Sequence, residues 1–213
     1  MIRAERSALI DYLKTLTPAQ WATPSLCSGW SGQHVAAHLA WTPTLSPRQA
    51  MTELVRSGFR PNKVNPDTAA RWWPRGPVEI LRQLQANAEN NAKPVGVPRA
   101  ATLVDSVVHA LDIRRPLGTQ RVIPAQAFAP AADFCINKRW PASVVVGGSV
   151  RKRINGLRLV ADDYDWSWGE GPEVRAPGET IMLVLTGRPI GSHELAGPGA
   201  ATLSGRMSSS HRK

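Results

Sequence analysis

A chain of 213 residues and 23.1 kDa has room for one mid-sized domain, or one domain with a small annex. With 42% hydrophobic and 20% charged residues it is too apolar for a disordered chain, and no apolar run approaches the roughly 18 residues of a membrane helix. The net charge of +10 raises the idea of a nucleic-acid partner. Arginine outnumbers lysine 20 to 6, a bias typical of GC-rich genomes, and no helix-turn-helix or zinc-finger pattern accompanies it.

The amphipathic start, Met1 to Arg6, has no apolar core, so no secretory signal is expected. Two cysteines, Cys27 and Cys135, make neither a disulfide framework nor a CxxC knuckle, and they fit a reducing cytoplasm. The first helix is predicted over Ala4 to Leu16, from Ala8, Leu9, Tyr12, Leu13 and Leu16 at helical spacing, and Thr17-Pro18 ends it. Trp21 to Trp30 reads as turn-rich. Ser31 is then the expected N-cap of a helix from Gly32 to Trp41, closed by Pro43 and Pro47.

Pro47 to Ser57 is predicted helical, and Phe59 to Gly76 an irregular, proline-rich loop or lid. Helices are expected from Pro77 to Ala92, from Pro98 to about Arg114, and from Pro124 to Trp140, with a weaker helical segment from Ala142 to Ile154. The grammar changes at Asn155-Gly156. Leu157–Ala161, Trp166–Gly169 and Glu173–Arg175 read as short strands, Glu179 to Thr186 as a helix stopped by Gly187. Ser208 to Lys213 reads as a disordered tail. The predicted organisation is a helical domain over 1–155, a small α/β domain over 156–207 and a tail over 208–213. Residues 1–155 carry 20 basic and 9 acidic side chains and residues 156–213 carry 6 and 7, so the positive charge belongs to the helical part.

Asp105 and His109, four residues apart, share one helix face, with Asp112 over the same side. A second imidazole from a neighbouring helix would complete a set of two nitrogens and one oxygen, and His38, embedded in an apolar helix, would be buried if it faces the bundle interior. Such a set suits zinc and other divalent first-row metals, and three ligands leave open positions. The competing readings are a surface Asp105 with a core histidine, and a His34–His38 pair. Cys27 reads as a nucleophile or a buried structural thiol, and the absence of a histidine paired with it in sequence favours the structural reading. Trp30 and Trp41 read as core and boundary residues. Arg114-Arg115 and Arg151-Lys152-Arg153 read as solvated faces, and Asp112 as either an aid to His109 or a surface acid paired with Arg115.

Pro24-Ser25-Leu26-Cys27-Ser28-Gly29-Trp30-Ser31, followed by His34 to Ala40, resembles the N-terminal signature of the mycothiol-dependent maleylpyruvate isomerase family. Asp105 to His109, continuing as Asp112 to Gly118, resembles its second signature. Gly156 to Asp162, Trp166, Gly169, Gly171-Pro172 and Thr186-Gly187-Arg188 resemble its C-terminal domain. The resemblance implies a DinB-like four-helix bundle holding a divalent metal, usually zinc, followed by a sterol-carrier-like α/β domain. It carries the metal ligands onto His38, Asp105 and His109. The family usually has glutamate at the second position, so the shorter Asp105 must stand closer to the ion or bind through water.

The implied reaction uses mycothiol, the low-molecular-weight thiol of actinobacteria. Its thiolate adds to the cis double bond of a maleylpyruvate-like substrate, the new single bond rotates, and elimination gives the trans isomer. Arg188 is expected either to hold the anionic substrate or to serve as a structural cap or surface salt bridge, and Asp112 to orient His109 or move protons. A thiol transferase, a non-catalytic binding or regulatory member of the fold, and a basic nucleic-acid binder are the alternatives.

Overall fold

The structure, a computed structural model, describes residues 1–58, 61–138 and 150–210. Its backbone falls into two compact units, Met1–Gln120 and Arg121–Lys213. The change of composition near residue 155 marks where helices give way to strands, but compactness divides the chain earlier.

The first unit is helical: α1 (Ile2–Lys14), α2 (Pro18–Ala22), α3 (Gly32–Trp41), α4 (Pro47–Arg56), α5 (Pro61–Trp72), α6 (Gly76–Glu89) and α7 (Arg99–Arg114). Helices α1 and α3 each pack on both α6 and α7, closing a ring of four around one core. Leu9, Ile10 and Leu13 of α1 and Ile80, Leu84 and Ala88 of α6 are buried there, at helical spacing. Each large apolar side chain so buried stabilises the unit by about 1.5–3 kcal/mol before entropy is counted. Helix α5 lies against α3 and brings the buried Thr68 and Ala69 to it.

Two sequence expectations change here. The proline-rich stretch before Gly76 is not an irregular loop: Pro61–Trp72 is helix and Trp73–Arg75 a 3-10 turn, and Phe59 and Arg60 lie outside the described residues. Pro61 sits at the first helical position, where the missing N–H costs nothing. The turn-rich segment likewise begins with a helix. Thr17 caps α2 through the Gln20 N–H, and Pro18 follows at its first turn, so the proline that ends α1 also starts α2.

The second unit holds α8 (Ala125–Asn137), α9 (Val150–Ile154), β1 (Arg158–Ala161), β2 (Ser167–Trp168), β3 (Glu173–Ala176), α10 (Gly178–Thr186) and α11 (Ala200–Ser210). The sheet order is β2-β1-β3. Strand β1 runs antiparallel to β2, with Leu159 opposite Trp168, and parallel to β3, with Leu159 opposite Val174. Leu159 and Val174 face inward with Ala161 and Ala176, the two-residue period of half-buried strands. Helix α8 packs on α10, and Phe128 stacks on Tyr164 at 4.1 Å. Gly187, at φ 72°, ends α10 in the left-handed conformation that glycine adopts without a Cβ penalty.

The tail also differs from its expectation. Ser208 to Ser210 continue α11, whose Leu203 and Met207 are buried one turn apart, and residues 211–213, with His211, lie outside the described residues. The end of the helix expected to run to Trp140, and most of the segment expected from Ala142 to Ile154, lie outside them too. The run Arg151-Lys152-Arg153 is not simply a solvated face. Arg153 is buried and donates to the carbonyls of Val184 and Leu185 at the end of α10.

Candidate metal centre

Helix α3 carries the first ligand candidate into the core. The Ser31 hydroxyl accepts the His34 N–H, and the His34 ring returns to the Ser31 N–H, so the first turn is closed by a reciprocal cap. His34 is thereby engaged in the cap, with its ring 4.9 Å from that of Trp73. Beyond it Val35, Ala36, Ala37, Leu39 and Ala40 are all buried, and His38 goes in with them, 2% exposed. Its Nδ1 lies 3.0 Å from the Thr42 hydroxyl, one turn on, which leaves Nε2 facing α7. Trp41 joins the core, while Trp30 is half-buried with its ring 5.5 Å from that of His38.

Helix α7 is buried from Thr102 to Ile113 except at Asp105, whose side chain is 38% exposed. Asp105 Oδ1 lies 3.7 Å from His38 Nε2 and 3.3 Å from His109 Nε2. One ligand atom from each of these three side chains fits within 4.8 Å of the other two. Atoms bound about 2.0–2.1 Å from one tetrahedral ion stand about 3.3–3.4 Å apart. The donor set therefore fits a divalent cation in number, type and spacing, with its carboxylate at the open side. Asp105 reaches both imidazoles without the extra methylene of glutamate.

A second cluster adjoins the first. His109 Nδ1 lies 2.7 Å from Asp112 Oδ2, and the Cys27 thiol stands 3.1 Å from the same oxygen and 3.8 Å from Nδ1. These spacings include hydrogen-bond lengths too short for two ligands of one ion, so this group reads as a bonded triad beside the metal set. Asp112 is fully buried and is not a surface acid. Its backbone carbonyl accepts the Leu26 N–H, which ties the loop before α3 to α7 and delivers Cys27 to the carboxylate.

Charge follows this geometry. Burial opposes the Asp105 carboxylate, but the charges and hydrogen bonds of His109 and His38 outweigh it and hold its pKa well below the usual range. Burial likewise opposes the His109 imidazolium. The Asp105 charge, with hydrogen bonds to Asp105, Asp112 and Cys27, holds the ring well above its ordinary pKa. Without a metal, these contacts favour the protonated form of His109 between the Asp105 and Asp112 carboxylates. Arg6, buried on α1 and donating to the Asn87 carbonyl, is lowered by burial and raised by the Asp105 charge.

Asp105, His109 and Asp112, related by their spacing, and His38, named by the resemblance, are brought together. Cys27 and Thr42 were missed as site residues. Thr42 stands four residues after His38, a spacing that pattern alone could have flagged; the Cys27 contact has no sequence signal, because a loop delivers it. Arg188 belongs to the second unit, half-buried after Gly187, where it donates to the Thr186 carbonyl. Arg114, expected on a solvated face, is half-buried with its guanidinium 3.7 Å above the Tyr12 ring.

Residues 2–114 match the family model of the mycothiol maleylpyruvate isomerase N-terminal domain. The chain belongs to that family. The matched segment contains α1 to α7, with both clusters. Among solved structures it is similar to the crystal structure of the mycothiol-dependent maleylpyruvate isomerase, and to that of a histidine-to-alanine mutant of that isomerase. Each has a TM-score of 0.59 and 15% sequence identity, over 93% of this chain and 90% of the other. This likeness extends the family fold into the second unit. No curated protein matches the chain.

Proposed function

We propose that this family member is an enzyme, a metal- and thiol-dependent isomerase acting on a maleylpyruvate-like anion, with His38, Asp105 and His109 as ligands of a divalent metal, zinc first. The observation that carries this reading is the approach of two imidazole Nε2 atoms to one carboxylate oxygen at 3.3 and 3.7 Å, on the half-exposed side of an otherwise buried helix. A divalent ion held by these residues would supply the positive charge that favours a thiolate at neutral pH.

The chain's own residues set up that charge. Thr42 and Asp112 hold Nδ1 of His38 and His109, so both rings keep Nε2 for the site. Asp105 adds one negative charge and the accessible edge. The apolar face of α3 excludes water from the ligands' far side, which strengthens electrostatic interactions within. Arg188 is the proposed holder of a substrate carboxylate, and Asp112 the acceptor of the His109 Nδ1 proton. The thiol is mycothiol in this reading, the bundle is DinB-like and the second domain sterol-carrier-like. A thiol transfer at the same centre is the alternative reaction.

No described helix is long and apolar enough to cross a membrane, and cytoplasmic residence is part of the proposal. The basic charge gives a nucleic-acid reading little support, because Arg114, Arg153 and Arg206 are engaged with the chain's own carbonyls. Zinc loading followed by a screen of mycothiol and other thiols with maleylpyruvate and related cis-enoic acids tests the function. Thiol-dependent isomerisation that disappears on chelation is expected. Bound metal without turnover under any thiol would leave the non-catalytic reading.

A further inference from the structure

We propose that Cys27 is a positioning residue of the metal centre: its thiol holds Asp112, which in turn holds His109 with Nε2 toward Asp105. This inference rests on the metal reading of His38, Asp105 and His109. It adds a residue that lies outside the ligand set and outside α7.

The geometry carries it. Asp112 is a carboxylate with no exposure, set in the core of a helical bundle. A buried carboxylate is tolerated only when donors surround it. Its Oδ2 receives two neighbours, the His109 Nδ1 at 2.7 Å and the Cys27 thiol at 3.1 Å. With Nε2 turned to the site, the His109 proton sits on Nδ1, and both groups donate to the one oxygen. The carboxylate is thereby fixed from two sides, by its own helix and by a loop some eighty residues earlier in the chain.

That loop is built to hold the thiol there. The Ser25 hydroxyl accepts the Cys27 N–H at 3.1 Å and donates to the Trp30 carbonyl at 2.8 Å. The Leu26 N–H bonds the backbone carbonyl of Asp112 itself at 3.1 Å. Asp112 is therefore gripped at its main chain by Leu26 and at its side chain by Cys27. A purely space-filling cysteine needs neither the S–H direction nor the paired backbone bond.

Removing the thiol proton donor should loosen the hold of Asp112 on Nδ1 and let the His109 ring shift. Outer partners of metal-bound histidines typically change affinity ~10–100-fold. The experiment measures zinc affinity by competition with a chromophoric chelator in the wild-type protein, Cys27→Ala, Cys27→Ser, Asp112→Asn and the Cys27→Ala/Asp112→Asn double variant. Circular dichroism checks that each is folded.

Cys27→Ala is expected to weaken zinc about tenfold, the low end of that range. Cys27→Ser, which keeps a donor, is expected to recover most of the loss, and Cys27→Ala is expected to cost little more once Asp112 is already Asn. A wild-type protein that binds zinc, with folded Cys27→Ala at wild-type affinity, would overturn this proposal and leave the metal reading intact. So would equal losses in Cys27→Ala and Cys27→Ser, or additive losses in the double variant. A folded wild-type protein without zinc affinity would overturn the metal reading and this inference together.

Discussion

The Nδ1 of His38 lies 3.0 Å from the hydroxyl of Thr42, one helical turn further along α3. The Nδ1 of His109 is held in the same manner by Asp112 at 2.7 Å. Both rings are thus fixed by one nitrogen and offer the other, from two different helices, to the Asp105 carboxylate. One anchor is a neutral hydroxyl at the C-terminal cap of α3, and the other is a buried anion.

The neutral anchor should matter less. Thr42→Val keeps the shape of the side chain and removes the hydroxyl, leaving His38 Nδ1 unpaired. Zinc affinity is expected to fall about tenfold, below the loss from Asp112→Asn, within the range typical of outer histidine partners. Chelator competition on the two variants checks the order. A larger loss for Thr42→Val would show that the neutral anchor of His38 matters more than the Asp112 anchor of His109.

The shifted pKa values give the metal-free protein a definite pH profile. The folded pKa of Asp105 is depressed, so its contribution is present above the ordinary carboxylate range, about 3.9, and is lost as pH falls through the folded value. The folded pKa of His109 is raised, so its contribution is full below about 6.5 and is lost as pH rises through the folded value. Chelated protein should therefore have its highest melting temperature in mild acid and decline above neutrality. Zinc requires a neutral His109, so the rise in melting temperature it causes should grow across the same interval. Melting curves from pH 5 to 9, with chelator and with zinc, test both signs; a zinc effect that shrinks with pH would contradict the assignment.

Ligand and substrate residues should separate cleanly. His38→Ala is expected to abolish zinc binding and turnover while the circular dichroism stays helical, because the bundle's stability comes from the apolar faces of α1, α3, α6 and α7. Arg188→Ala is expected to leave zinc bound and to lower turnover. It also removes a bond to the Thr186 carbonyl at the end of α10, so a loss of about 1 kcal/mol of stability should accompany it. Zinc loss in Arg188→Ala would contradict the separation.

The cap of α3 is a structural prediction independent of metal. Ser31→Ala removes the hydroxyl that accepts the His34 N–H, and should cost about 1 kcal/mol in chemical denaturation of the chelated protein. If His38 is delivered by this helix as a rigid unit, the loss of zinc affinity should be small.

The sequence made α3 legible almost to the residue, because Ser31 is a strong cap and the prolines after Trp41 are strong stops. The strands β1 to β3 were legible from alternation, and Asp105 with His109 from their spacing. Helix α5 was not, since its prolines mask a segment whose first turn tolerates them. Cys27 was not, because its relation to Asp112 depends on a backbone bond from Leu26 across the bundle. The buried roles of Arg114 and Arg153 were hidden for a similar reason: charge in a sequence says nothing of the carbonyl or ring that awaits it.

The most direct test of the metal assignment is the X-ray absorption spectrum of the zinc-loaded protein without added thiol. Ligation by His38, Asp105 and His109 predicts a first shell of nitrogen and oxygen at about 2.0–2.1 Å, with imidazole scattering from two rings and no sulfur. A sulfur at about 2.3 Å would put the ion on Cys27 with the adjoining cluster and contradict the assignment.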